Sequence, residues 1–262
     1  MRRTPHLLKL SPLPFPILLL LCGVVALAAP SFAAEKIFEA TYPLPAGGSF
    51  SLTNVNGSVT VRGWERDEVY LRAVKRSRTN PADESRVKID VETNPGSVVV
   101  VTRYPEADPV DVTVEYTIHV PARLLRTSIQ TVNGDIRVRD VETGGELRTV
   151  NGDVEVLNGA GHVGARTTNG NIRLELANLG DGREPVRVET VNGSVALEIP
   201  ASVGADLHAQ SLNGDFQSDL PLDVQATSGR AEVRARLGRG GASVMLRTVN
   251  GGIRILAARG TV

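Results

Sequence analysis

One phrase recurs along most of this chain, and it constrains the fold more than any other feature. The phrase is Thr-Val-Asn-Gly-Asp-Ile-Arg-Val or a close variant of it. A unit of about 20 residues is too short to bury a core of its own, so repetition at this period predicts a structure of stacked repeats. The steps between the six main copies are 18, 18, 23, 21 and 37 residues, with the asparagines at Asn133, Asn151, Asn169, Asn192, Asn213 and Asn250.

Two further copies extend the series. One stands early in the chain, around Asn56, and a degenerate copy, Ala226–Val233, lies inside the 37-residue step. We therefore expect the copies to stack in chain order, as seven coils from Asn133 to Asn250 that together span about 30 Å.

The residues after each Asn-Gly predict strands. Ile136 and Val138 flank Arg137, and Ile253 and Ile255 stand in the same relation in the last copy. This period of two places one face of each segment in a core and the other in water, which is a strand pattern. No sustained helical stripe of apolar residues follows residue 33, so the fold class is all-β.

Asn-Gly itself fits two architectures. As a two-residue hairpin turn it would pair Thr149 with Val154 and give an antiparallel meander of Asn-Gly hairpins. As the corner of a β-solenoid (a parallel β-helix) it would stack equivalent Thr, Asn and aliphatic residues into ladders. Repetition of whole phrases favours the solenoid of 18–23-residue coils, because a meander needs only the turn and the alternation to repeat. The meander stays open as the alternative.

The first 33 residues have the pattern of a secretory signal peptide. Arg2, Arg3 and Lys9 precede an apolar run over residues 17–29, and small residues precede Ala34. The sequence predicts cleavage between Ala33 and Ala34, with export to the periplasm, the cell surface or the medium. The apolar run is shorter than the roughly 20 residues of a membrane-spanning helix, so no transmembrane segment is expected in the mature chain.

Cleavage of the predicted signal peptide changes the net charge and the cysteine content of the chain. The whole chain has 29 basic and 29 acidic residues, and loss of the signal peptide leaves a net charge of −3. That balance argues against a nucleic-acid-binding protein, which carries a clustered basic excess. The single cysteine, Cys22, leaves with the signal peptide, so disulfides and cysteine zinc sites are excluded from the mature chain.

Residues 34–125 differ from residues 126–262 in their aromatic content and in the number of repeat copies. They hold seven of the mature chain's eight aromatic residues and only one copy of the phrase. We predict that they form an N-terminal β capping part, because the end of a solenoid is an unpaired strand edge that must be covered. Within it, Trp64 is expected to pack under the cap and residues 75–85 to form an exposed loop.

The residue after each Asn-Gly is the first candidate for chemistry. In a solenoid Asp135, Asp153 and Asp215 would stand in one column, where carboxylates can bind Ca²⁺ or act as an acid/base pair. Other copies carry Asn, Ser or Gly at this position, and Asp suits turns because it bonds the local backbone. The turn role is favoured, and no metal, cofactor or catalytic residue is predicted.

The mature chain's histidines are His119, His162 and His208. None of them belongs to a catalytic triad or zinc motif that can be recognised by spacing. His119 alternates with apolar residues on a predicted strand, His162 lies in a glycine-rich turn, and His208 lies in a polar strand. The protein is therefore expected not to be an enzyme.

The order of motifs resembles one known family. Gly47-Gly-Ser-Phe-Ser-Leu-Thr-Asn-Val-Asn-Gly-Ser-Val-Thr-Val-Arg-Gly-Trp64, then Ile118-His-Val-Pro121, then the train of Asn-Gly phrases, is similar to the bacterial "putative adhesin" family of β-strand-repeat domains, a domain of unknown function. The resemblance spans nearly the whole mature chain. It implies an exported, β-solenoid-like domain and brings no catalytic or binding residues with it.

The sequence thus predicts an exported, non-enzymatic structural or adhesin-like protein of the bacterial cell envelope or surface. Its partner would be an envelope or surface component, either a protein or a polysaccharide. The alternative is a β-helix protein that binds or cleaves an envelope polysaccharide, with its site in a groove along one face of the coils.

Overall fold

A computed structural model describes residues 36–228 and 232–258, and the predicted signal peptide with its Ala33/Ala34 cleavage site lies outside these ranges. The described chain consists of strands and one short 3₁₀ helix, Pro81–Ser85. The strands are β1 Lys36–Pro43, β2 Ser49–Thr53, β3 Val59–Trp64, β4 Glu68–Ser77, β5 Lys88–Asn94, β6 Ser97–Arg103, β7 Val112–Pro121, β8 Arg123–Gln130, β9 Ile136–Arg139, β10 Glu142–Arg148, β11 Val154–Gly159, β12 Val163–Arg166, β13 Ile172–Leu176, β14 Val186–Asn192, β15 Val195–Ile199, β16 Ala205–Asn213, β17 Phe216–Ser218, β18 Leu222–Ser228, β19 Glu232–Leu237, β20 Ala242–Asn250 and β21 Ile253–Ala257.

The strands form two long mixed sheets. Sheet 1 has the order β1-β4-β7-β3-β9-β11-β13-β15-β21-β17, and sheet 2 has the order β18-β19-β16-β20-β14-β12-β10-β8-β2-β6-β5. The fold is therefore all-β, as the sequence predicts. The inward-facing side chains of both sheets form one continuous apolar core.

Each repeat contributes one strand to each sheet, with Asn-Gly at the corner between them. In the second copy β10 ends at Arg148 in sheet 2, and β11 begins at Val154 in sheet 1. β10 pairs in parallel with β8 and β12, and β11 pairs in parallel with β9 and β13. Thr149 and Val154 therefore do not form a hairpin, and the antiparallel meander is wrong for these repeats.

The register keeps equivalent residues of successive repeats beside each other. In sheet 1 the first apolar residue after Asn-Gly always pairs with its equivalent, and it is buried in every one of these copies. These residues are Ile136, Val154, Ile172, Val195 and Ile253. A stack of aliphatic residues in matched register is stabilised by burial of apolar area and needs no disulfide.

The order of the coils departs from the order of the chain. The copy with Asn250 lies between the copies with Asn192 and Asn213, because β20 pairs with both β14 and β16. The expectation of a stack in chain order from Asn133 to Asn250 is wrong at this point. Every copy presents the same strand edges, so a later copy fits between two earlier ones as well as at the end.

The 37-residue step does not contain another coil. β18 and β19 pair antiparallel, and β19 pairs antiparallel with β16. The degenerate copy, Ala226–Val233, falls across this antiparallel pair, with residues 229–231 outside the described ranges. It lacks the asparagine of the phrase, and the strands that flank it close one end of sheet 2.

The other end of the molecule begins with a coil of the same kind. β2 and β3, on either side of Asn56, pair in parallel with β8 and β9. Beyond them the pairing becomes antiparallel, between β1, β4 and β7 in sheet 1 and between β5 and β6 in sheet 2. The boundary expected between residues 125 and 126 falls inside β8, the strand that begins the coil of Asn133, and the coil of β2 and β3 lies wholly before it.

Residues 75–85 are only in part the exposed loop that their charge suggests, because residues 78–82 are exposed but the stretch also holds the end of a strand and two buried charged residues. β4 runs to Ser77, and Lys75 and Glu84 are both buried. The Lys75 ammonium donates to the Val87 carbonyl, and a Glu84 carboxylate oxygen accepts from the Ser77 N–H. Burial lowers the pKa of Lys75, with a smaller contribution from Lys36. Charge alone misled the prediction, because a long charged side chain is buried when its charged end has a polar partner.

Candidate functional site

The Asn-Gly corner carries an unbroken ladder of asparagine side chains. Each amide Nδ2 donates to the Oδ1 of the asparagine in the neighbouring coil, with donor–acceptor distances of 2.7–2.9 Å. The order along the ladder is Asn56, Asn133, Asn151, Asn169, Asn192, Asn250 and Asn213. The asparagine of the phrase is thus explained by contact between coils.

The first residue of the phrase has a similar role. Its buried hydroxyl donates to the carbonyl of the corner glycine in the neighbouring coil, as from Thr149 to Gly134 at 2.9 Å. The same bond recurs from Thr131, Thr167, Thr190, Ser211 and Thr248. A buried hydroxyl needs such a partner, and here the neighbouring coil supplies it.

The corner glycines are required by close approach of the backbones. A Cβ added to Gly152 would lie 2.2 Å from the Gly134 carbonyl oxygen. The other corner glycines from Gly134 onward, including Gly214, meet a neighbouring glycine oxygen at 1.9–2.3 Å. Any side chain here would push two coils apart.

The column of residues after Asn-Gly bonds the backbone. Asp135 Oδ1 accepts from the Asp153 N–H at 2.9 Å, and Asp153 Oδ1 accepts from the Asn171 N–H at 2.7 Å. Asp215 lies in the outermost copy, beyond Gly252. Both bonds reach the backbone of the next coil, so these carboxylates join coils, and the local turn role that the sequence favours is wrong for Asp135 and Asp153. Within residues 36–228 and 232–258, no three His, Cys, Asp or Glu side chains are grouped so as to hold a metal ion.

Trp64 and Tyr70 lie with His119 on the outer face of sheet 1. Trp64 stacks on His119 with ring centroids 5.1 Å apart, and Arg66 covers the indole at 4.9 Å. Tyr70 lies 5.8 Å from the same imidazole. The expectation that Trp64 packs under the cap is wrong, because it alternates with the inward-facing Val59 and Val61 and points the other way.

Sheet 2 carries a groove on its outer face, which we call the sheet-2 groove. It has a volume of about 330 Å³ and crosses β8, β10, β12 and β14. Its floor is formed by four residues that lie side by side on the four adjacent strands, Ser128, Glu146, Gly164 and Arg187. The missing side chain at Gly164 makes the depression.

One wall of the groove is held by an ion pair between two connections. His162 Nε2 lies 3.0 Å from Glu184 Oε2. The imidazole covers Gly144, where a Cβ would lie 2.2 Å from Nε2. A glycine at 144 is therefore what lets this histidine lie flat over β10.

The charges of the groove are unevenly paired. Glu146 accepts from Arg148 Nε at 2.7 Å, and Glu184 is paired with His162. Among the described residues, Arg126 and Arg187 form no ion pair, and Arg187 contacts only the Met245 sulfur, at 3.8 Å. Two guanidinium groups without carboxylate partners make the groove attractive to an anion.

Sequence reasoning missed this groove, although two signals point to it. The 23-residue step is five residues longer than the 18-residue steps, and its connection carries Glu184 and Pro185. Gly164 stands where the neighbouring coils have Glu146 and Arg187. Insertions in repeat proteins map to loops on one face, often the binding face.

The third histidine is also on sheet 2. His208 Nε2 lies 3.0 Å from Glu232 Oε1, and this contact is the largest cause of the lowered pKa of Glu232. In the part of the chain that the structure describes, His119, His162 and His208 lie in three separate surroundings and contact different partners. None of the described residues forms a helix that is long and apolar enough to cross a membrane.

These features define an all-β protein whose short repeats stack in parallel across two long mixed sheets. The chain belongs to the Toastrack DUF4097 family, whose sequence pattern matches residues 48–256. The resemblance drawn from residues 47–64 and the Asn-Gly phrases is thereby confirmed. No curated protein matches the chain.

Solved structures similar to the chain include two proteins with adhesion-related names. A putative cell adhesion protein from Clostridium sporogenes is 12% identical, with a TM-score of 0.45, over 85% of this chain and 100% of its own. A putative adhesin from Bacteroides fragilis is also 12% identical, with a TM-score of 0.33, over 85% of this chain and 97% of its own.

Proposed function

We propose that this chain is an exported, non-enzymatic structural or interaction scaffold of the bacterial cell envelope or surface. The observation that carries the proposal is the ladder of seven asparagines, together with the Thr and Gly contacts beside it. The most repeated residues of the chain serve contact between coils. Such a sequence is typical of a rigid repeat structure that presents its outer face in a fixed arrangement.

The finer architecture belongs to the same proposal. We take the repeats as a β-solenoid and residues 34–125 as its N-terminal β cap. Antiparallel pairing of β4 with β7 and of β5 with β6 ends the parallel series on that side, which supports a covering role. A capped solenoid resists edge-to-edge aggregation and so can serve outside the cell.

Binding of an envelope component is tested by co-sedimentation. The mature chain, residues 34–262, is mixed with the envelope fraction of its own cell and, as a control, with the ribosomal pellet of the same cell. We expect saturable sedimentation with the envelope alone. Sedimentation with neither fraction would contradict the proposal.

The same samples test the enzymatic alternative. Reducing ends released from the envelope polysaccharide are measured over hours of incubation. We expect no release above that of a boiled sample. Steady release would favour the polysaccharide-cleaving alternative, for which the sheet-2 groove is the place to search. The localisation is tested by the intact mass of the exported protein, which should begin at Ala34.

A further inference from the structure

Among the described residues, the sheet-2 groove places two arginines without a carboxylate partner around a strip of bare backbone at Gly164. Along the neighbouring row of the same sheet, Arg166 pairs with Glu189 at 2.8 Å and Arg148 pairs with Glu146. Arg126 and Arg187 have no such carboxylate among the described residues. Their charge is thus free to act on a ligand.

We propose that the sheet-2 groove binds a compact oxyanion, a carboxylate or a phosphate, carried on a sugar ring. The Arg187 guanidinium would take the oxyanion, since its planar fork matches carboxylate and phosphate oxygens, and Arg126 would add positive charge from the far side of the groove. The ring would lie on the bare backbone at Gly164, with the Ser128 hydroxyl on its edge. This inference names a ligand class for the proposed scaffold function and rests on it.

The size of the groove fits a single ring. Its volume of about 330 Å³ lies at the lower end of the roughly 300–1,000 Å³ of small-molecule sites. A side chain at Gly164 would fill the floor, and the structure leaves room for one, since an added Cβ would meet nothing closer than 3.6 Å. Packing therefore does not require the glycine, and an open floor is the remaining physical use for it.

The connection between β13 and β14 completes the site. It carries Glu184, which holds His162 over Gly144, and Pro185, which lines the groove. The five extra residues of this coil thus build a wall where the 18-residue coils have none. His162 and Glu184 are positioning residues, because their contact holds this wall beside the floor of the groove.

Isothermal titration of the mature protein tests the proposal with four probes. Galacturonate carries the carboxylate on a ring, glucose 6-phosphate carries the phosphate on a ring, galactose is the neutral ring, and inorganic phosphate is the bare oxyanion. We expect one of the two charged sugars to bind with a dissociation constant below about 1 mM. It should bind at least about tenfold more tightly than galactose and than inorganic phosphate. Which of the two binds identifies the oxyanion.

Three variants place the site. Arg187→Gln and Gly164→Val should each weaken binding of the charged sugar at least about tenfold, the first by loss of charge and the second by filling the floor. Arg254→Gln is the matched control, because Arg254 lies on the outer face of sheet 1 and forms no ion pair among the described residues. It should leave binding unchanged.

Several outcomes overturn the inference. They are absence of binding by both charged sugars, equal binding of inorganic phosphate, and equal loss in the Arg254→Gln control. The scaffold function is judged separately by envelope co-sedimentation. Sedimentation without sugar binding would remove the ligand and keep the scaffold, and sugar binding without sedimentation would do the reverse.

Discussion

Glycine serves opposite purposes at the Asn-Gly corner and in the sheet-2 groove. A Cβ at Gly152 would lie 2.2 Å from a carbonyl oxygen of the neighbouring coil, whereas a Cβ at Gly164 would lie 3.6 Å from the nearest atom of the neighbouring strand. The corner glycine is needed for the coils to stack, and the groove glycine is not. Regular repetition in this chain therefore marks structure, and departure from it marks the candidate site.

Polar side chains divide in the same way. At the corner, Asn151 bonds the asparagines on both sides, and Asp135 and Asp153 each accept from the backbone of the next coil. In the groove, Arg126 and Arg187 have no carboxylate among the described residues. Side chains whose bonding capacity is used within the fold are unavailable to a ligand, which is why the groove and not the corner is the place to test.

Gly152→Ala should give the largest effect and can break the comparison most directly. The added methyl group would force the carbonyl of Gly134 away and open the stack in its middle. We expect a loss of about 2–4 kcal/mol in the free energy of unfolding. Urea titration followed by circular dichroism measures it. Gly164→Ala is the matched control, and an equal loss in both variants would contradict the distinction between the two glycines.

Asn151→Ala tests the ladder itself. It leaves the Oδ1 of Asn133 and the Nδ2 of Asn169 without their partner, although water reaches both groups at this exposed edge. The expected loss is about 1 kcal/mol in the same urea titration. Val150 is beside it and points to solvent with 40% exposure, so Val150→Thr should stay within about 0.5 kcal/mol. Equal stability of the two variants would show that the ladder is not a source of stability.

The sequence predicted the coil well and the order of the coils poorly, for one physical reason. Alternation such as Ile136-Arg137-Val138 fixes which side chains face the core, and whole-phrase repetition fixes the parallel register. Neither fixes which coil lies beside which, because every copy presents the same edges. The place of Asn250 between Asn192 and Asn213 depends on the antiparallel β18–β19 pair, which carries no distinctive phrase.

The candidate site was harder to predict because it is made of departures from the repeat. Gly164 and Glu184 have no recurring neighbours in sequence, and the distance between them along the chain hides that both line one groove. His162, which contacts Glu184 and covers Gly144, was visible only as a residue in a glycine-rich turn. The five-residue excess of the 23-residue step and the glycine at 164 were the two signals available, and they locate the wall and the floor without revealing the charge of the groove.

Gly164→Val tests the groove glycine, as Gly152→Ala tests the corner glycine, by adding a side chain. A β-branched residue suits an outward strand position better than glycine does, so we expect the free energy of unfolding to rise by about 0.5 kcal/mol. The same variant should lose binding of the charged sugar. A gain in stability together with a loss of binding would show that the glycine is retained for the groove and not for the fold. A loss of stability would instead place Gly164 with the corner glycines.

The smallest effect concerns pH and belongs to neither the corner nor the groove. Burial lowers the pKa of His119 below its ordinary value of 6.5, and the nearby Arg62 lowers it further. Its buried Nδ1 has no hydrogen-bond partner in the described structure, so the folded state favours the neutral ring. As pH falls, the unfolded chain therefore takes up a proton at His119 before the folded chain does. The contribution of the neutral ring to the free energy of unfolding is complete above pH 6.5 and is lost as pH falls through the lower pKa of the folded state.

Unfolding midpoints measured between neutral pH and the pKa of the folded histidine should fall in the wild type. They should fall less in His119→Gln, whose side chain does not titrate. His162→Gln is the matched control, because His162 lies in the groove with Glu184 as a partner. If the groove is dispensable for folding, this second variant should keep the pH dependence of the wild type. A flattened profile in His162→Gln would tie the groove to the stability of the stack and would weaken the division between scaffold and site.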